Sequence, residues 1–86
     1  MTRYAVEWSP QARKALDALD RTMARRIAAA CAGLADNPRP SGCLKMSGPD
    51  DLWRLRVGQW RVVYAIEDGR LLVLVVRVAH RREVYR

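Results

Sequence analysis

LWRLRVGQWRVVYAIEDGRLLVLVVRVAHRREVY, residues 52–85, holds three runs of β-forming residues separated by two turn pairs. The runs cover residues 52–57, 60–66 and 71–79, and the pairs are Gly58-Gln59 and Asp68-Gly69. Alternating residues on either side of a two-residue, glycine-containing turn specify a β-hairpin. The stretch therefore predicts two consecutive hairpins and three antiparallel strands.

A two-residue turn at Gly58-Gln59 sets Val57 opposite Trp60 and Arg56 opposite Arg61. Side chains alternate between faces, so Arg54, Arg56 and Arg61 share one side of the sheet. Trp53, Leu55, Val57, Trp60, Val62, Tyr64 and Ile66 share the other. The second side reads as core and the first as an anion site. Like charges directly opposite each other destabilise a sheet by a few tenths to about 1 kcal/mol per pair, so folding alone gives no reason to set Arg56 against Arg61. The pairing predicts a surface for phosphate. The expectation depends on the turn, because a three-residue turn would flip the parity of one strand and split the cluster.

Asp68-Gly69 is a type I′ signal that predicts Glu67 opposite Arg70 and Val63 opposite Leu74. Residues 71–76 are apolar on both faces, which fits a central strand whose free edge takes the first strand of the chain. That first strand is RYAVEW, residues 3–8, ending at Ser9-Pro10, a good helix cap followed by proline at the first helical position. Ala12, Ala15, Leu16 and Leu19 then trace one helical stripe, and after Asp20 as a second cap Met23, Ile27, Ala30, Cys31 and Leu34 trace another, ended by Asn37-Pro38. The expected fold is a single α+β domain over residues 1–86. Its order is βααβββ, with a helical hairpin packed on a mainly antiparallel four-stranded sheet of order 1-4-3-2. Residues 37–51, NPRPSGCLKMSGPDD, form a long connection leading into the arginine strand. Loops of this length in small domains commonly serve a site or a partner. Lys45 stands there as a further positive charge near the strand, or as a solvated loop lysine.

With 86 residues the chain can bury only about 60 to 65% of its unfolded surface, which suits one sheet under one helical layer. Sixteen Lys plus Arg against nine Asp plus Glu give a net charge of +7, and only Lys14 and Lys45 among the basic residues are lysine. A partner that is acidic, either a protein or a nucleic acid, fits this balance. Arg13, Lys14, Arg21, Arg25 and Arg26 lie off the apolar stripes and read first as a solvated helix face. Cys31 and Cys43 come without CxxC spacing, a secretory signal or a membrane-length apolar run, so a reduced cytoplasmic setting is expected. One histidine and two separated cysteines do not make a tetrahedral zinc site, and no acidic cluster suggests a hard cation. Neither a metal nor a cofactor is expected.

The last ten residues, RVAHRREVYR, crowd Arg77, His80, Arg81, Arg82, Glu83, Tyr85 and Arg86 together. By strict alternation His80 shares the Arg61 face and Arg81 does not, so either the strand ends near Ala79 or a bulge turns Arg81 towards the cluster. Taken alone, Tyr85 reads as a core-edge residue before a catalyst, and His80 as a hydrogen-bonded surface residue before a base.

GQWRVVYAIEDG followed by VVRVAHRREVYR closely resembles the RelE family of bacterial type II toxins, within the RelE/ParE superfamily, and the element order agrees. The resemblance implies a small toxin that cuts mRNA in the ribosomal A site without a metal, inhibiting translation. It also implies a RelB-like antitoxin wrapped around the toxin, in a complex that binds its own operator DNA through the antitoxin. Carried over by residue, the family's basic positions on the second strand fall on Arg54 and Arg56, and its key arginine on Arg61. The arginine after the last strand falls on Arg81, and the tyrosine of the terminal E-V-Y on Tyr85. RNA is cut without a metal when its 2′-hydroxyl attacks the adjacent phosphorus. Tyr85 is then the expected base, Arg61 the transition-state cation aided by Arg54 and Arg56, and Arg81 the group assisting the leaving oxygen. Lys45 and His80 complete the expected RNA-binding set. His80 also offers an alternative base, and arginine where relatives carry lysine at positions 54 and 56 is a poor proton shuttle. A ParE-like gyrase inhibitor and a non-catalytic RNA- or antitoxin-binding member are the rival readings.

Overall fold

The first hairpin forms in the expected register. In the computed structural model, which describes residues 3–48 and 51–84, β3 (Leu52–Val57) and β4 (Trp60–Glu67) pair antiparallel, with Val57 opposite Trp60 and Arg56 opposite Arg61. Gly58 opens the turn at φ +62°, the left-handed region that a type II′ hairpin turn requires and glycine enters without strain.

Before the hairpin come β1 (Ala5–Trp8), α1 (Pro10–Asp17), α2 (Arg21–Gly33) and β2 (Leu44–Lys45); after it come β5 (Leu72–His80) and a short α3 (Arg81–Val84). The sheet order is β1-β5-β4-β3-β2, with β1 parallel to β5 and the other pairs antiparallel. This is the expected order with one strand added. The long connection returns along the free edge of β3, setting Leu44 opposite Arg54 and Lys45 opposite Trp53, and the Met46 amide donates to the Leu52 carbonyl at 2.9 Å. A two-residue strand has no periodicity, so the sheet has five strands where the sequence predicts four.

Both helix caps are as expected. Ser9 Oγ accepts from the Ala12 amide at 3.0 Å, and Asp20 Oδ2 from the Met23 amide at 3.1 Å. The helices lay Ala12, Ile27, Cys31 and Leu34 on Val57, Val62, Tyr64, Ile66, Val73, Val75 and Val78. The inferred core side of the hairpin therefore faces the helices. Tyr64, at its centre, is fully buried and donates its hydroxyl to the Pro38 carbonyl at 2.8 Å, tying the long loop down. Burial, reinforced by the neighbouring Cys43 thiol, pushes its pKa well up, and burial raises the Cys31 thiol to about 12. Both stay neutral.

The second hairpin departs from expectation twice. Asp68 and Gly69 do not form a two-residue turn; Asp68–Arg70 makes a single 3-10 turn, Leu71 takes φ +49°, and Glu67 pairs with Leu72. Partners distant in sequence hold this geometry. Asp68 accepts from Tyr4 Oη and, at 3.3 and 2.9 Å, from Nη1 and Nη2 of Arg39, while Ala5 N–H donates to the Leu71 carbonyl at 2.8 Å. The second departure is a bulge in β5. Tyr64 pairs with Val75 but Val63 with Arg77, leaving Val76 as an extra residue. Ser9 secures it, its amide donating to the Val75 carbonyl at 2.9 Å and its hydroxyl to the Val76 carbonyl at 2.8 Å. Ser9→Ala removes a helix cap and the bulge's side-chain bond together, and is expected to cost about 1 to 2 kcal/mol, read as a lower urea midpoint at unchanged slope.

The bond from Arg39, and then that from Tyr4, holds the Asp68 carboxyl below the usual carboxylate range, while the same carboxylate pushes the Tyr4 phenol above its ordinary value. A lowered carboxyl pKa contributes stability that is present above the unfolded-state value of about 3.9 and lost as pH falls through the folded one. A raised phenol pKa contributes stability that is present below about 10 and lost as pH rises through the folded value. Asp68→Asn is expected to lower the melting temperature between these limits and to flatten its fall at both ends. A pH–melting profile of wild-type shape would exclude this role for Asp68.

Candidate nucleic-acid interface and active site

The sheet side turned away from the helices carries the arginines. Arg54 stands opposite Val63, which stands opposite Arg77, and the next row runs Arg56, Arg61, Ala79. Arg61 is only 8% exposed, the one charged residue among those described that is buried. Its Nη1 donates to the Trp60 carbonyl at 3.3 Å. Arg56 is exposed, and its Nε donates to the Gly58 carbonyl at 3.2 Å, folding the side chain back over the turn. Buried charge raises the strength of any interaction it makes with an incoming anion, and a fixed guanidinium fork suits a phosphate's oxygens. The arrangement can hold a phosphate and favour added negative charge on it.

The Val76 bulge redistributes the terminal residues. It inverts parity for residues 77–80, so that Arg77, exposed, joins the arginine side while His80 falls opposite Trp60 on the helix side. His80 packs edge-on against Trp60, ring centroids 5.4 Å apart, and its Nδ1 accepts from the Arg82 amide at 3.4 Å. The expectation that His80 shares the Arg61 face is thus corrected: one extra residue in the strand moves it across. The same residue answers the question left at the strand's end. β5 closes at His80, and Arg81 opens α3 with its amide donating to the Gln59 carbonyl at 2.9 Å. Arg81 is thereby fixed beside the Gly58-Gln59 turn, at the same end of the sheet as Arg56 and Arg61. Tyr85 lies outside the described residues.

Lys45 is not brought to this face. It sits opposite Trp53, and its Nζ lies 3.2 Å from Asp51. Among the described residues the ion pairs are Lys45–Asp51, Arg3–Asp36, Arg39–Asp68 and Arg70–Glu67. All four stand towards the β4–β5 turn, where Tyr4 N–H also meets the Ala35 carbonyl. The opposite end carries Arg56, Arg61 and Arg81. Two arginines are absent from the sequence reading of the site or its support. Arg77 needs the bulge to reach the face, and Arg39, whose guanidinium lies 5.1 Å over the Trp53 ring, braces the connection into β3. No group of three or more His, Cys, Asp or Glu side chains able to hold a metal occurs among the described residues, and no described helix is long and apolar enough to cross a membrane.

Helices α1 and α2 on a five-stranded, mostly antiparallel sheet, with arginines on the side turned away from them, make the α+β frame shared with the solved toxin structures below. The family model described as ParE toxin of type II toxin-antitoxin system, parDE, matches residues 6–85. The chain belongs to this RelE/ParE toxin family. It is 38% identical over 66 residues to Toxin RelE of Mycobacterium tuberculosis (strain ATCC 25618 / H37Rv), covering 71% of this chain and 68% of that protein. Among solved structures, the archaeal RelE–RelB complex from Pyrococcus horikoshii OT3 matches with a TM-score of 0.82 at 30% identity, covering 94% of this chain and 97% of that one. The toxin–antitoxin complex RelBE2 from Mycobacterium tuberculosis matches with a TM-score of 0.83 at 25% identity, covering 94% of each chain.

Proposed function

We propose that this toxin is an endoribonuclease that cuts mRNA in the ribosomal A site. The observation that carries the reading is the buried Arg61 set opposite the exposed Arg56 on the side of the sheet turned away from α1 and α2. A pair of like charges that costs folding energy is accounted for when a phosphate sits between them. In the proposed reaction the RNA 2′-oxygen forms a bond to the adjacent phosphorus as the bond to the 5′-oxygen breaks. Tyr85 takes the 2′-proton, Arg61 binds the phosphorane oxygens with Arg54 and Arg56 holding the flanking backbone, and Arg81 assists the departing 5′-oxygen by charge and hydrogen bonding. The chemistry is carried by the RNA's own hydroxyl and by guanidinium groups, without a metal.

The partner in this reading is an acidic, amphipathic antitoxin segment of the RelB kind. An open groove along the helices, lined by Leu16, Leu19, Ala24 and Ala28 and rimmed by Arg21, Arg25 and the acid Asp17, offers such a segment an apolar floor and an edge with two cations to one anion. Inducing the wild type and Arg61→Ala in a bacterial host and mapping mRNA 5′ ends tests the function. Codon-phased cuts within translated regions, absent in the variant, are expected. The matching family model bears the ParE description, which favours gyrase inhibition as the second reading. Growth arrest with DNA-damage signalling and no such cuts would establish that one instead.

A further inference from the structure

The arginine face does not stop at the edge of the sheet. Gly58 is flanked on its strand side by Arg56, whose Nε donates to the Gly58 carbonyl at 3.2 Å. It is flanked on its helix side by Arg26. A Cβ built on Gly58 would lie 3.5 and 3.7 Å from Arg26 Nη1 and Nη2, and 3.4 Å from Met23 Cε. Two guanidiniums from different layers of the fold therefore meet across one glycine. Arg26 is exposed and takes part in none of the ion pairs found among the described residues. Its helix supplies no acid three or four residues away, those positions being Thr22, Met23, Ala29 and Ala30. A merely solvated helix arginine has no reason to lie against the turn of a hairpin that already carries Arg56. Its guanidinium lies against Gly58 beside the Met23 methyl, so the charged head stands at the sheet's end.

We propose that Arg26 is a phosphate-binding residue of the toxin, carrying the RNA backbone from Arg56 over Gly58 onto α2, so that the RNA bends around the end of the sheet. Glycine at position 58 serves this path twice: it accepts φ +62°, and it leaves no side chain between the two guanidiniums. The inference rests on the ribonuclease reading and extends its binding surface beyond the strands.

The test is the salt dependence of RNA binding by the full chain, since each phosphate neutralised on a single strand contributes about 0.7 to the slope of log affinity against log salt. The probe is a 2′-O-methyl RNA 12-mer, which its own 2′-oxygen cannot cut, titrated by fluorescence anisotropy at a series of salt concentrations. Arg26→Met keeps the apolar stem and is expected to lower the slope by about 0.7, with Arg56→Met doing the same. Arg70→Met, at the opposite end and paired with Glu67, leaves it unchanged. A structural role for Arg26 would alter melting temperature without moving the slope. An unchanged slope in Arg26→Met beside a reduced one in Arg56→Met would overturn the path around the turn and leave the arginine face standing. Unchanged slopes in both would overturn the RNA-binding reading itself. Loss of binding to an acidic antitoxin peptide by Arg26→Met, with the RNA slope intact, would assign Arg26 to the protein partner and also overturn the proposal.

Discussion

Arg61→Ala is expected to lower mRNA cleavage on programmed ribosomes by about 10²- to 10³-fold, the loss seen when one preorganised donor to a developing oxyanion is removed, equivalent to about 2.7 to 4 kcal/mol of transition-state stabilisation. The size follows from placement. Arg61 is buried on a central strand, so its charge acts in a poorly screened environment and its position is fixed before substrate arrives. Arg61→Lys keeps the charge but loses the planar fork, and should recover only part of the rate. The fold should not suffer in proportion, because Arg61→Ala also removes the like charge facing Arg56. A variant that melts like the wild type and cuts at the wild-type rate would take Arg61 out of the site.

Tyr85→Phe is expected to cost about 10²- to 10⁴-fold in the same assay, the usual contribution of a positioned proton-transfer group. The change removes one hydroxyl and keeps the ring. If the phenol is the base, the wild-type rate rises with pH towards the phenol's pKa, and Tyr85→Phe loses that dependence. His80→Ala is the decisive companion. His80 stands on the helix side of the sheet against Trp60 and accepts from the Arg82 amide, so its replacement should leave the pH profile in place. A profile abolished by His80→Ala and untouched by Tyr85→Phe would transfer the role to the imidazole.

Much of this architecture was legible in the sequence where local rules act alone. A glycine-opened two-residue turn and strict alternation fix the β3–β4 register, and with it the arginine side and the core side. Ser9-Pro10 and Asp20 announce both helices, since their side chains bond amides only three residues away. What escaped reading depends on partners far along the chain. Asp68-Gly69 carries a strong local turn signal, yet Asp68 is held by Tyr4 and Arg39, and the connection widens to meet them. The Val76 bulge has no signature within its own apolar run, because the serine that secures it belongs to the start of α1. That one residue decides the faces of Arg77 and His80. Arg26 looked like any solvated helix charge until the hairpin turn was set beside it.

The segregation of ion pairs has a kinetic consequence. Four carboxylates, Asp36, Asp51, Glu67 and Asp68, are paired with arginine or lysine around the β4–β5 turn, while Arg26, Arg56 and Arg81 stand at the other end, so the chain's net positive charge is displaced along the strands and acts as a dipole. In the field of a polyanion such a dipole feels a torque, and the molecule rotates as it diffuses inward. Encounters are then pre-oriented, so the association rate constant exceeds that of an unsteered pair and falls steeply with ionic strength, while dissociation changes little. The end that bears the Gly58 turn arrives first.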